Sequence, residues 1–371
     1  HKGEKLKDIP TDYLQWVLDI AGNAQSVRLR PIIRCIIANR SRPNPNWHSE
    51  EETLVTISRD GYITRLSLDV YHTQRRGVQA ANLKEEDQLA HLFVATTTHY
   101  TLFFTNRGRV YRLKAYEIPQ SSLTARGQHI NDFIPLDSGE RITAILPIKD
   151  FKTGGYLVMA TEYGEIKRTA LENFANLRAN GLIAFDIEEG DNLNWVKHTD
   201  GVQEIMMVTA EGMSIRFKEE DVPERSRGAG GVRGIELRNP KTKIVADSVV
   251  AMDVVSPTSQ LLVSSEYGFG KRTDLGKYRS QGRGGRGIQT MNVTAKTGKI
   301  IDAAVVEPED KLMVLTEHGV AIRMDVKPIR ATDRSTQGVK LINLKDGDRV
   351  VTIERLISTE EVEERANEQA K

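Results

Sequence analysis

The chain has 371 residues, 39% of them hydrophobic and 6% aromatic, enough for one large domain or two to three ordinary ones. Charged residues make up 28%, yet 52 Lys/Arg against 51 Asp/Glu leave a formal net charge of +1, which excludes a uniformly basic surface and confines nucleic-acid binding to local patches. A single cysteine, Cys35, excludes an internal disulfide framework and a cysteine-based zinc site, and no apolar run approaches the roughly 18–20 residues that cross a bilayer.

The chain begins at His1, as a fragment would. Residues 1–48 carry 8 Lys/Arg against 4 Asp/Glu. Thr11 or Asp12 is placed to cap a helix carrying Leu14, Val17 and Leu18. Arg28 to Arg40 reads as a second helix with Ile32, Ile33, Ile36 and Ile37 on one side. Tyr13 and Trp16 read as core. The stretch "HKGEKLKDIPTDYLQWVLDIAG" resembles a small module at the carboxy end of exonuclease X-like proteins, so residues 1–45 are expected to be a small helical module and 46–52 a linker.

From Thr53 onward one pattern recurs six times. An apolar run leads into a polar turn with a glycine, and an arginine follows four residues later. The glycines are Gly61, Gly108, Gly164, Gly212, Gly268 and Gly319; the arginines are Arg65, Arg112, Arg168, Arg216, Arg272 and Arg323. Each copy reads as a β-hairpin with glycine in the turn. The apolar runs are near-continuous, which predicts strands covered on both faces. A period of 47 to 56 residues suits a propeller-like array with four short strands per blade. The repeat arginines admit two readings: ion pairs with carboxylates on the next blade, or contacts with a partner. Lys167-Arg168 and Lys271-Arg272 place charges on both faces of a strand, which predicts at least one solvent-facing side chain in each pair.

A second glycine follows each arginine by fifteen residues in four copies (Gly127, Gly231, Gly287, Gly338), by thirteen at Gly181, and is Ala80 in the first. The loops around it hold Arg75, Arg76, Arg126, Arg178, Arg225, Arg227, Arg233, Arg283 and Arg286. Flanking glycines let phosphates approach main-chain N–H groups, and repetition distributes such contacts along a curved track. The run "QGRGGRG" at 281–287 formally matches a dinucleotide fingerprint, but "IQTMNV" after it reads as strand and not helix. Aromatics do not interleave with these arginines, which argues against single-strand stacking. No arginine-bearing helix is evident for the major groove. Residues 359–371 carry 2 Lys/Arg against 5 Asp/Glu and read either as a frayed end or as an acidic competitor for the basic loops.

Residues Tyr71 to Pro119, with "YLVMATEYGEIKRT", "YGFGKRTDL" and "STQGVKL", resemble the carboxy-terminal domain of DNA gyrase A, and the resemblance runs over about residues 49–358. It implies an all-β, six-bladed β-pinwheel over 53–358 whose blades exchange strands, preceded by the helical module and followed by an acidic tail at 359–371. It implies a rim that wraps duplex DNA for ATP-dependent supercoiling. The implied partners are duplex DNA, the remainder of gyrase A, and gyrase B, with no membrane. The location is cytoplasmic, at the nucleoid. No cofactor is expected in this chain, ATP and Mg²⁺ being used by the rest of the enzyme. The family's wrapping loop falls on Gln74, Arg75, Arg76 and Gly77, where the pattern holds; Val78, Gln79 and Ala80 depart from it. The fuller motif sits in the fifth repeat as Gln281, Arg283, Gly284, Gly285, Arg286 and Gly287, which is expected to be the stronger DNA clamp. With Arg126, Arg178, Arg227 and Arg233 these form the expected DNA-binding set.

No catalytic or metal-binding pattern stands out. The alternatives are a topoisomerase IV-like relaxing or decatenating module, a protein-interaction scaffold, and a nuclease-linked role for the amino-terminal module.

Overall fold

The computed structural model describes residues 50–58, 60–67, 89–120, 127–178, 180–238, 246–256, 258–318 and 320–356. The amino-terminal module, the loop at Gln74–Ala80, Arg126 and the acidic tail lie outside the described residues.

Each repeat begins as the predicted hairpin. In blade 2, Tyr100–Thr105 pairs antiparallel with Arg109–Lys114, and Thr101 faces Leu113. The turn is closed by Gly108 N–H donating to Thr105 O at 2.9 Å, with Gly108 at φ 71°. Thr105 Oγ1 then accepts from Arg109 N–H at 3.3 Å. A third strand, Ile142–Ile148, pairs with the first strand of the hairpin on its other side. The third strands of the other blades are Leu89–Thr96, Leu193–Thr199, Val249–Val255, Ile300–Val306 and Val350–Leu356. Each of these inner strands neighbours its counterpart in the next blade, from first to sixth.

The fourth strand of a blade comes from its neighbour. Gln128–His129, in the loop after the blade 2 hairpin, pairs with Tyr62 and Ile63 of blade 1. In the same way Leu182–Ile183, Val232–Arg233, Ile288–Gln289 and Val339–Lys340 close blades 2, 3, 4 and 5. Each repeat from the second to the sixth therefore contributes three strands to its own sheet and a two-residue strand to the one before. The sixth sheet has three strands among the described residues. The architecture is a six-bladed β-propeller of the strand-exchanging, pinwheel kind.

The unbroken apolar runs are explained by alternation between two cores. Leu102 and Phe104 pack toward blade 3 with Leu157 and Met159, while Phe103 packs toward blade 1 with Val55 and Ile57. Val158 and Ala160 meet Ile205 and Met207, and Met206 and Val208 meet Leu261 and Val263. Successive side chains of a strand point to opposite faces, so a strand sandwiched between blades is apolar at every position. A fully buried Phe or Leu contributes about 1.5–3 kcal/mol over an exposed one, and this burial holds the blades face to face.

Candidate nucleic-acid interface

The repeat arginines meet main-chain carbonyls of the next blade where carboxylates were expected. Arg65 Nε donates to Ile118 O at 2.8 Å, and Arg112 Nη1 to Ala175 O at 2.6 Å. Arg272 donates to Ile329 O and to Lys327 O, both at 2.7 Å. These acceptors belong to the short turn that follows the next blade's hairpin. Its carbonyls have no strand partner and need a donor. Arg168 departs from the pattern by donating to Gly201 O at 3.3 Å. Arg216 does have a carboxylate partner, Glu204, but on its own hairpin; it also donates to Leu275 O at 2.7 Å. That contact holds the Glu204 carboxyl below its usual range, against an opposing push from burial. Arg323 of the sixth blade is exposed.

The Lys-Arg pairs also differ from expectation. Lys167, Lys271 and Arg272 are all buried, and Arg168 is half-buried. Lys167 Nζ lies beneath the loop after the blade 4 hairpin. It donates to the main-chain carbonyls of Ser226 at 3.2 Å, Arg227 at 2.6 Å and Ala229 at 2.7 Å. Lys271 repeats the arrangement two blades on, donating to the carbonyls of Asp333 and Arg334 and to Thr336 Oγ1 at 3.2 Å. Burial pushes both ammonium groups down to about 8.

The loops of blades 3 to 6 are joined into a belt. Asp186, Glu236 and Asn292 each follow a donated strand by three residues, and each donates its N–H to the next loop: to Ala229 O at 3.3 Å, Gly285 O at 2.9 Å and Thr336 O at 3.1 Å. In blades 4, 5 and 6 an arginine four residues before the second glycine adds to this bracing. Arg227 Nη1 donates to Asn173 O at 3.1 Å, Arg283 donates to Asp221 O at 2.7 Å and Arg233 O at 3.0 Å, and Arg334 Nη1 donates to Gln289 O at 3.2 Å. These side chains reach back to the preceding blade.

The expected site residues therefore divide. Arg178 and Arg286 are exposed, and among the described residues no hydrogen bond or ion pair holds either side chain. Arg233 is exposed but paired with Glu236 at 2.6 Å. Arg227 and Arg283 are committed to carbonyls, as is Arg225, whose Nη1 donates to Gly230 O at 3.2 Å. Gln281 N–H donates to Arg216 O at 2.9 Å. Gly284 turns its N–H inward to Gly234 O at 2.6 Å, while the Gly285 carbonyl accepts from Glu236. Gly287 lies against blade 4, where a Cβ would sit 2.1 Å from Ser214 O. Gln74, Arg75, Arg76, Gly77 and Arg126 lie outside the described residues. Sequence reasoning missed exposed Arg238, Arg279 and Arg330, because it looked inside the blade loops that run up to the second glycine, and these lie just before or after those loops. It also missed the buried lysines, whose signal was the Lys at the position that is Ile215 in blade 4.

Six segments of the chain, residues 52–96, 99–149, 155–200, 203–256, 259–307 and 310–356, match the family described as the DNA gyrase C-terminal domain, beta-propeller. The DNA gyrase A protein of Mycolicibacterium smegmatis is 36% identical over 372 residues, covering 99% of this chain and 43% of that protein. The corresponding protein of Staphylococcus epidermidis is 40% identical over 313 residues, covering 83% of this chain and 34% of that protein. The chain thus spans less than half the length of these relatives. Among solved structures, the C-terminal domain of a DNA topoisomerase IV superposes with a TM-score of 0.72 at 26% identity, covering 88% of this chain and 100% of that one. A DNA gyrase A C-terminal domain superposes with a TM-score of 0.67 at 24% identity, covering 83% and 100%.

Proposed function

The chain belongs to the DNA gyrase C-terminal domain family, and we propose from that premise that its loop belt binds duplex DNA and bends it along the rim as part of a gyrase-type topoisomerase. The observation that carries this reading is the belt itself. The loops of blades 3 to 6 are hydrogen-bonded in succession into one track. Arg178, Arg238, Arg279, Arg286 and Arg330 stand on it exposed, their side chains uncommitted among the described residues. Guanidinium groups spaced along a track neutralise phosphates one after another, and counterion release supplies the affinity. A rigid track makes the duplex follow its curve. Specificity for sequence is slight, because no described element of the rim is shaped to enter the major groove.

Within a whole enzyme the remainder of gyrase A, together with gyrase B, would supply DNA cleavage and ATP hydrolysis with Mg²⁺, in the cytoplasm at the nucleoid. The departures at Val78, Gln79 and Ala80 favour a second reading, in which the complete enzyme relaxes or decatenates more than it supercoils. The test is binding of this chain to relaxed nicked circles of duplex DNA, followed by ligation. A linking-number change that scales with bound protein, with affinity falling steeply in salt, is the expected result. Binding without any change in linking number would reduce the domain to a tether, and no binding would leave the scaffold reading.

A further inference from the structure

We propose that Lys167 and Lys271 convert the two loops they hold into main-chain phosphate sites, each a patch of outward N–H groups backed by a buried cation. In a trans peptide the C=O of one residue and the N–H of the next point in opposite directions, and the described chain has no cis peptide. The carbonyls of Ser226, Arg227 and Ala229 aim at Lys167 Nζ. The N–H groups of Arg227, Gly228 and Gly230 therefore aim away from it. None of the three donates to any group among the described residues. Gly228 is exposed, and a Cβ built on it meets nothing within 4 Å, so a phosphate oxygen has open approach.

The second loop follows the same plan. Carbonyls of Asp333 and Arg334 aim at Lys271 Nζ, and the N–H groups of Arg334 and Ser335 face outward without a partner among the described residues. Oriented N–H groups in a turn make an anion concavity.

Charge points the same way, independently of the loop geometry. Neither lysine forms an ion pair among the described residues. The groups that face Lys167 are Arg225, Arg227 and Asp186, and Phe185 lies 4.9 Å from the ammonium. Those that face Lys271 are Asp333, Arg334 and Lys277, and the Asp333 carboxylate is already bound by Lys277 at 2.5 Å. A buried ammonium without its own carboxylate is costly. A phosphodiester on the far side of the loop supplies the missing counter-charge. The loop at 281–287 has more glycine but Ile215 in place of the lysine, so it lacks the cation and serves as an internal comparison.

The inference rests on the reading that this rim meets duplex DNA, and the experiment separates the two. Binding of a duplex to the whole chain is measured for the native protein, for Lys167→Met with Lys271→Met, and for Lys167→Arg with Lys271→Arg, each checked for folding by thermal melting. The native protein is expected to lose affinity between about pH 7.5 and 9, a range in which arginine does not titrate. The methionine pair should bind about tenfold more weakly near neutral pH at low salt and with a flat pH profile, and the arginine pair should restore binding. If the native protein binds with no pH dependence in that range, or folded methionine variants bind as it does, the phosphate-site inference is overturned and the duplex reading stands. If the native protein binds no duplex, both fall. Should the methionine pair fail to fold, the native pH profile and the arginine pair decide.

Discussion

Arg283 Nη1 donates to the main-chain carbonyl of Arg233 at 3.0 Å while its Nε reaches Asp221 O at 2.7 Å, so the first arginine of the QGRGGRG loop is spent on the neighbouring blade. Three residues on, Arg286 is exposed and unpaired among the described residues. The two are thus expected to behave as different kinds of residue. Arg283→Ala should lower stability by about 1–2 kcal/mol, the worth of two hydrogen bonds at a half-exposed site, and weaken DNA binding mainly through the loop. Arg286→Ala should leave the melting temperature within error and reduce the salt slope of duplex binding by about one unit. Parallel melts and binding isotherms at several salt concentrations check this. Equal loss of salt slope in both would return Arg283 to the DNA face.

Arg272 and Arg323 occupy equivalent places in blades 5 and 6 but have unlike surroundings. Arg272 is buried and donates to Ile329 O, Lys327 O and Gln260 Oε1. Arg323 is exposed at the last hairpin. Truncation of Arg272 to Ala strands two turn carbonyls and should cost about 3 kcal/mol or more, whereas Arg323→Ala should stay within about 0.5 kcal/mol. Denaturant titration of both variants measures the contrast, and similar costs would mean the arginine does not join blades.

The hairpins were legible because their signal is local: a strand-forming run, a turn glycine and a second strand fall within about sixteen residues. Gly61, Gly108, Gly164, Gly212 and Gly268 all take positive φ where the pattern put them. The partners of Arg65 or Arg272 were not legible, because every residue carries a carbonyl and an acceptor of that kind leaves no mark in composition. The burial of Lys271 was hidden for the same reason, its partners being mainly carbonyls from a loop more than sixty residues away. Strand exchange came only from the resemblance. A two-residue strand such as Gln128–His129 is too short for any periodicity to reveal.

Stability should fall as pH rises through the range of two inner-strand carboxyls. Asp302 Oδ2 accepts from Thr352 Oγ1 at 2.8 Å and Ile353 N–H at 3.1 Å, tying blade 5 to blade 6. Burial pushes Asp302 up to about 6; burial together with the Asp302 charge pushes Glu354 up to about 7. Both folded values lie above the ordinary 3.8 and 4.5, so the folded chain keeps protons that the unfolded chain has released. The favourable contribution is whole below about pH 4, falls as pH rises through about 6 and 7, and is lost by about pH 8. Glu354→Gln removes one of the two ionisations. It should be more stable than the native chain at pH 8, by about 1–2 kcal/mol, and no different near pH 4.5. Urea midpoints across that range report it, and a gap that is constant with pH would assign the effect to packing instead.

The second glycine of the later repeats offers a last contrast, between docking a donated strand and admitting a phosphate. Gly287 has φ 73°, and a Cβ there would stand 2.1 Å from Ser214 O, a main-chain atom of the strand that receives Ile288–Gln289. That oxygen cannot yield without breaking the exchange. Gly338 repeats the geometry against Gly270 O at 2.6 Å. Gly282, five residues before Gly287, is exposed, has no positive φ, and has nothing within 4 Å of a built Cβ. Gly287→Ala should therefore cost about 3 kcal/mol or more, combining a forbidden contact with left-handed backbone. Gly282→Ala should be neutral or slightly stabilising, by up to about 1 kcal/mol, because it restricts only the unfolded chain. Hydrogen exchange at Ile288 and at Thr290, whose N–H donates to Gly212 O at 2.8 Å, gives the sharper readout: both amides should lose protection in Gly287→Ala and keep it in Gly282→Ala. If Gly287→Ala leaves that protection intact and weakens only duplex binding, the glycine serves the phosphate and not the strand exchange.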